Sequence, residues 1–261
     1  MSPRFLGAEL AAWRPEHGQK RIADFVDHTL LRAEATHADV ARLCAEAKRH
    51  RFAAVCVNPI WVPLCSEELA DGGLAVATVC GFPLGATCFK AKAFEAGEVV
   101  RHGATEVDMV AAIGRMKGGE WGYVADDIRA VVEAVPGVLV KVIIESAVLS
   151  EDEIVRACRA AQAAGAHYVK TSTGFHPAGG ASVGAVRLMR QTVGEEMGVK
   201  ASGGVRDCVT ALRMLAAGAS RIGASSGVAL AECLGPEPLP LEDLLADPGS
   251  HAAACRAAAR V

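Results

Sequence analysis

The feature that most restricts this chain is an alternation carried along nearly its whole length. Short runs rich in β-forming residues are each followed by an Ala-rich amphipathic stretch. Candidate strands are Phe25–His28, Ala53–Val57, Ala75–Cys80, Thr105–Val110, Val138–Glu145, His167–Thr171, Val199–Ser202 and Arg221–Gly223. Between them, stretches such as Asp39–His50, Lys90–His102, Glu151–Ala164 and Arg206–Ala217 place apolar residues three and four apart, the spacing of a helix face. Several end in glycine plus a small residue, as in His102-Gly103-Ala104, which closes a helix before the next strand. Eight such units predict an α/β fold, a (β/α)8 TIM barrel. The competing architecture is a doubly wound open sheet. That sheet favours GxGxxG after its first strand, and Asp27-His28-Thr29-Leu30-Leu31 has no glycine. The expected organisation is a single domain over 1–261: an extra N-terminal helix at about 6–23 (Leu6–Ala23), the barrel at about 24–234, and a C-terminal helical tail at about 235–261 (helix Leu241–Ala259) entered through Gly235-Pro236-Glu237-Pro238.

Charge and cysteine usage remove several classes of protein. The net charge is −3, without the basic excess expected of a nucleic-acid binder. No apolar run is long enough to span a bilayer, and no secretory leader pattern is present, so the expectation is a cytoplasmic protein that contacts neither nucleic acid nor membrane. The nine cysteines are scattered without a CxxC pair, which leaves no sequence warrant for a zinc ribbon or a redox motif.

A barrel of this type builds its active site at the carboxyl ends of the strands. Asp108, Lys170 and Lys200 stand there inside otherwise apolar segments, and Lys141 is a fourth ionisable residue in a strand. A lone strand lysine is ordinarily explained by an outward side chain whose amine reaches the surface, and for Lys141 that explanation stays open. Lys170 and Lys200 together, on neighbouring strands before small-residue loops, fit a Schiff-base site better. A free lysine has a pKa near 10.4, so only about 0.04% is neutral at pH 7. An adjacent ammonium and partial desolvation both disfavour the charged form. One lysine would then attack and the other stay charged, with Asp108 holding the second and passing a proton through water.

Two glycine- and serine-rich turns add to this. Ser202-Gly203-Gly204-Val205-Arg206 follows the seventh strand, and Gly223-Ala224-Ser225-Ser226-Gly227 the eighth. These are the slots in which such barrels commonly hold phosphate, with Ser225 and Ser226 as hydroxyl donors and Arg206 as added charge. A metal site assembled from His28, His102, His167 and His176 is the weaker alternative, because no HxH or HxxxH pair supports it. Cys56 ends the second strand and is expected to face the site.

The joint pattern is more specific than any of its parts. Asp27-His28-Thr29-Leu30-Leu31, Cys56-Val57-Asn58-Pro59, Gly81-Phe82-Pro83-Leu84-Gly85, Glu106-Val107-Asp108-Met109-Val110, Lys141-Val142-Ile143-Ile144-Glu145, Val169-Lys170-Thr171-Ser172-Thr173-Gly174-Phe175 and Lys200-Ala201-Ser202-Gly203-Gly204-Val205-Arg206 resemble the deoxyribose-phosphate aldolase family, in its order, over about Asp24 to Ala231. The resemblance implies a class I lyase of deoxyribonucleoside catabolism. Such an enzyme reversibly cleaves 2-deoxy-D-ribose 5-phosphate to D-glyceraldehyde 3-phosphate and acetaldehyde, with no cofactor or metal. By the same resemblance Lys170 forms the imine, with Lys200 and Asp108 tuning it and relaying protons. Asp27, Thr29, Lys141 and Thr173 line the substrate pocket, and Gly174, Gly203, Gly204, Ser225 and Ser226 cradle phosphate. It also implies a homo-oligomer, dimer or tetramer. Two departures stand out. Phe175 and His176 occupy the place where some members carry a phosphate-binding lysine. The only tyrosines are Tyr123 and Tyr168, so a tyrosine that reaches back from the tail to protonate the enamine has no counterpart. The alternatives are another phosphate-binding barrel enzyme (a different imine-forming aldolase or a sugar-phosphate isomerase) and a catalytically silent sugar-phosphate sensor.

Overall fold

Strand alternation decides which side chains meet in the middle of this molecule. The computed structural model describes residues 21–71, 73–234 and 241–249. Eight parallel strands close in sequence order into a barrel: β1 Val26–Leu30, β2 Ala54–Val57, β3 Ala75–Cys80, β4 Glu106–Val110, β5 Leu139–Ile143, β6 Tyr168–Lys170, β7 Gly198–Ser202 and β8 Arg221–Ala224. The helices that follow them are α1 His37–His50, α2 Val62–Glu68, α3 Phe89–Arg101, α4 Ile113–Lys117, α5 Trp121–Ala134, α6 Glu151–Ala163, α7 Val183–Val193, α8 Cys208–Ala216, α9 Gly227–Glu232 and α10 Leu241–Ala246. The open-sheet alternative is thereby excluded. Among the described residues no helix is long and apolar enough to cross a membrane.

Local chemistry accounts for several boundaries. Thr36 opens α1 by accepting a hydrogen bond from the Asp39 amide, while the Asp39 carboxylate accepts from the Thr36 amide. Ser150 and Glu153 repeat this arrangement at α6. Asp207 caps α8, so that helix starts at Cys208, two residues later than the periodicity suggests. Phe25, expected in the first strand, ends a 3-10 turn over Ile22–Phe25, and β1 instead runs on to Leu30. The same turn takes the last two residues of the expected N-terminal helix, whose remaining residues up to 20 lie outside the described set. Of the expected tail helix, Leu241–Ala246 is observed as α10; residues 250–259 and the linker at 235–238 lie outside the described residues.

The two faces of the barrel wall differ sharply. Outward-facing Val26, Val55, Val107, Val140, Val142, Val169, Val199 and Ile222 are buried in the main hydrophobic core under the helices. Leu31, Ala54, Cys56, Ala77 and Val79, with Phe82 against them, form a separate small apolar cluster from the β1 end, β2 and β3. The remaining circumference of the interior carries charge. The core packing outside holds the wall in register, and the register carries the charged groups to one place.

Candidate active site

Seven ionisable side chains from six strands meet inside the barrel. β1 contributes Asp27, β4 Glu106 and Asp108, β5 Lys141, β6 Lys170, β7 Lys200 and β8 Arg221, all buried. Lys170 pairs in register with Lys200 across β6 and β7, and Asp108 with Lys141 across β4 and β5. Lys141 is fully buried here, which removes the outward-pointing reading.

Their hydrogen bonds form a closed cycle of alternating sign. Asp108 accepts from Lys141 through Oδ1 at 2.8 Å and from Lys200 through Oδ2 at 2.7 Å. Lys141 also donates to Glu106 at 2.5 Å. Arg221 donates from Nη2 to both Glu106 oxygens at 2.9 and 2.8 Å, and from Nε to Asp27 at 2.8 Å. Lys200 donates to Asp27 and completes the cycle. Three carboxylates and three cations therefore neutralise one another. Lys170 is the seventh group, attached from outside the cycle by a 2.7 Å hydrogen bond to the Asp108 oxygen that Lys200 already shares.

The pKa directions follow from this geometry. Burial pushes the Lys170 amine below its ordinary value and the Lys200 ammonium pushes the same way, opposed by Asp108. Burial would also lower Lys200 and Lys141. For Lys200 it is outweighed by Asp108 and Asp27, and for Lys141 by Asp108, Glu106 and Asp27, so both stay above the usual lysine value. Asp27 and Asp108 are held well below the carboxylate range. Burial alone would raise them, but Arg221, Lys200 and Lys141 prevail at Asp27, and Lys141, Lys170 and Lys200 at Asp108. Cys56 does face this interior, and burial pushes its thiol up, so it is a neutral neighbour. Gly223 gives the site room: a Cβ there would press 3.2 Å from Lys200 Cε and 3.0 Å from Ser202 Cβ.

At the mouth, the segments after β6 and β7 are fastened together. Thr171 donates its hydroxyl to the Ser202 carbonyl and accepts from the Ser202 amide, both at 3.0 Å. Ser202 donates to the Ser172 carbonyl at 2.6 Å. Gly203 and Gly204 both take positive φ, +80° and +82°, and a Cβ on neighbouring Gly180 would overlap the Gly203 carbonyl. The chain can make this close approach only with glycine there. Gly174 lies beside Gly203, exposed at the mouth. The exposed Ser225 and half-buried Ser226 form the turn between β8 and α9, and Ser226 reaches across to the Val205 carbonyl at 3.4 Å. Arg206 is exposed in the neighbouring loop. The five residues expected to cradle phosphate thus lie on adjacent loops at the strand ends.

Thr29 is half-buried on β1, two residues beyond Asp27. Thr173 is buried, with its hydroxyl donating to Glu145 at 2.6 Å and accepting from the Phe175 amide at 3.1 Å. Sequence reasoning missed three groups here. Glu106 and Arg221 share the inward register of Asp108 and Lys200, a two-residue alternation that could have found them. Glu145, read as the end of a strand, leaves β5 in the left-handed region at φ 53° and is buried against Thr173. Such strain on a non-glycine residue concentrates at functional sites. The histidines do not assemble. His28 faces outward to Glu46 at 2.7 Å, His167 accepts from the Val140 amide, and His176 accepts from the Ala178 amide within its own loop. Among the described residues no group of three or more His, Cys, Asp or Glu side chains is arranged to hold a metal ion.

A closed (β/α)8 barrel whose charged interior leaves one lysine in excess, open to glycine-rich loops at the strand ends, defines the class of barrel aldolases that work through an amine. Comparison with known proteins narrows this class. Residues 21–231 match the DeoC/LacD family aldolases, and the chain belongs to that family. It is 56% identical over 210 residues to deoxyribose-phosphate aldolase 1 of Oceanobacillus iheyensis, covering 80% of this chain and 95% of that protein. It is 55% identical over 206 residues to the deoxyribose-phosphate aldolase of Enterococcus faecalis, covering 78% and 93%. Among solved structures, one described as QR15, an aldolase, superposes with a TM-score of 0.78 at 36% identity, over 82% of this chain and 96% of that one. The deoxyribose phosphate aldolase of Aeropyrum pernix, described as a unique tetramer, superposes at 0.76 with 31% identity, over 89% and 97%. The protein is therefore an aldolase, a lyase.

Proposed function

We propose that this protein reversibly cleaves 2-deoxy-D-ribose 5-phosphate to D-glyceraldehyde 3-phosphate and acetaldehyde through an imine on Lys170, acting in the cytoplasm as one barrel domain within a homo-oligomer. The observation that carries the reading is the single Asp108 oxygen shared by Lys170 and Lys200. It holds two amines together in a site where only one of them closes the charge cycle, so the other is the amine available as a nucleophile. The substrate is that of the relatives in Oceanobacillus iheyensis and Enterococcus faecalis, as their names state it.

In the cleavage direction the neutral Lys170 Nζ adds to the sugar aldehyde, and loss of water leaves a protonated imine. Removal of the proton from the C3 hydroxyl breaks the C2–C3 bond. Its electron pair moves onto C2 and the imine nitrogen to form an enamine, and glyceraldehyde 3-phosphate leaves. Protonation at C2 and hydrolysis then release acetaldehyde and restore the amine. Asp108 accepts and returns protons through water, while Lys200 stays charged and opposes protonation of Lys170. Asp27, Thr29 and Lys141 line the sugar end, and Thr173 shapes the loop beside it. Gly174, Gly203, Gly204, Ser225 and Ser226 take the phosphate, with backbone amides and hydroxyls as donors. No step requires a metal or organic cofactor, because the protonated imine is itself the electron sink.

Borohydride reduction in the presence of acetaldehyde tests the chemistry. The expected result is an ethyl group on the Lys170 peptide, lost in Lys170→Ala together with activity, while EDTA leaves turnover unchanged. An unmodified Lys170 peptide during active turnover removes the mechanism. Failure of the phosphosugar to turn over, with trapping intact, redirects the reading to another imine-forming aldolase.

A further inference from the structure

The charge cycle has a far side that touches neither Lys170 nor the mouth. Arg221 and Glu106 form it, joined by two hydrogen bonds at 2.9 and 2.8 Å and both buried. Arg221 links onward to Asp27 and Glu106 to Lys141. Pairing Lys141 and Lys200 with Asp108 and Asp27 would already give two cations and two anions. The additional pair adds one of each sign, leaves the sum at zero, and ties the two halves together.

We propose that Arg221 and Glu106 are positioning residues that keep the Lys170 amine uncharged by closing a cycle in which each carboxylate is already matched by a cation. The inference rests on the imine role proposed for Lys170. The groups on the inward faces of the strands are consistent with it. β1 brings Asp27 and β2 the raised thiol of Cys56, while β3 brings only Ala77 and Val79. β4 brings Asp108 and Glu106, and β5 brings Lys141. β7 brings Lys200 and β8 Arg221.

Single variants should therefore move the nucleophile in opposite directions. In Arg221→Met the cycle has two cations against three carboxylates, and a protonated Lys170 fills the deficit. In Glu106→Gln it has three cations against two carboxylates, which disfavours protonation further. The double variant restores two against two. β6 and β8 stand two strand spacings apart, roughly 10 Å, and a unit charge at that distance in an effective dielectric near 20 moves an amine by roughly one pH unit.

The test measures the pH dependence of acetaldehyde trapping on Lys170, and of kcat/KM, in four proteins: the parent, both single variants and the double variant. The acid limb should move about one unit alkaline in Arg221→Met, about one unit acidic in Glu106→Gln, and return to the parent position in the double variant. At a pH on that limb, Arg221→Met should lose roughly tenfold in kcat/KM. A purely structural role would lower amplitude in all variants without moving the limb, and that result overturns the proposal. If Arg221→Met does not fold, Glu106→Gln and the double variant still decide it: coincident limbs refute the inference. Absence of trapping in the parent at every pH refutes instead the imine role on which it rests.

Discussion

Replacing Lys200 with methionine is the most direct probe of how this interior activates an amine. The ammonium of Lys200 and the amine of Lys170 each lie 2.7 Å from the same Asp108 oxygen, so they stand no more than twice that, about 5.4 Å, apart. At that separation and an effective dielectric near 20, one unit charge changes the cost of protonating Lys170 by about 3 kcal/mol, or roughly two pH units. Methionine keeps much of the volume of the stem and removes the ammonium, with its hydrogen bonds to Asp27 and Asp108. The acid limb of kcat/KM, which reports the free enzyme's essential base, should therefore move about two units alkaline, with a drop of roughly a hundredfold well below the limb. Asp27 also loses a buried partner. Removal of one member of a buried pair commonly costs about 3–5 kcal/mol, so the unfolding midpoint must be checked beside the kinetics. Borohydride trapping across pH gives the same quantity without turnover. A folded Lys200→Met protein whose limb stays where the parent's lies would refute the reasoning, because burial alone would then set the reactivity of Lys170.

Three further outcomes follow from the same structure. Glu145→Gln and Thr173→Val should each raise KM for the phosphorylated substrate, and in the double variant the losses should fall short of additive by about 1.5–3 kcal/mol, the worth of one charged hydrogen bond; strict additivity would show that the two side chains act separately. Lys92, fully buried with its ammonium 2.7 Å from Asp127 and 2.8 Å from the Val110 carbonyl, should cost about 3 kcal/mol in denaturant unfolding as Lys92→Met at pH 8. The loss should be smaller at pH 5, because burial already pushes the Asp127 carboxyl up and it can protonate when unpaired; equal losses at both pH values would contradict this. Asp27 and Asp108, held below their unfolded values, contribute stability that is complete above about pH 4 and declines as pH falls toward their folded values, so a urea midpoint unchanged between pH 5 and pH 3 would count against the charge cycle.

The fold was legible because a closed parallel barrel imposes one period on the whole chain. All eight strand positions could be read from β-forming runs, and Ala75–Cys80 agrees residue for residue. Errors gathered at strand ends, where backbone conformation rather than side-chain pattern decides. Val138–Glu145 reads as one extended run, yet Glu145 turns into the left-handed region and its carboxylate is used to tie down Thr173. Asp108, Lys170 and Lys200 were visible as charges inside apolar strands. Glu106 and Arg221 were not, because each stands at the start of its strand, where a charge ordinarily meets solvent; only closure of the barrel turns both inward. Lys141 was undecidable for a related reason, since sequence does not say which face of a strand points in until its neighbours are placed.

The interior wall is not uniform around its circumference. Opposite the ions, β2, β3 and the end of β1 supply only Leu31, Ala54, Cys56, Ala77 and Val79, with Phe82 leaning over them. Most of these are small, and among them only Cys56 carries a titratable group, its thiol kept neutral by burial. Changes of shape along that arc, away from Cys56, leave every member of the charge cycle in place. The arc therefore separates the shape of this interior from its charge.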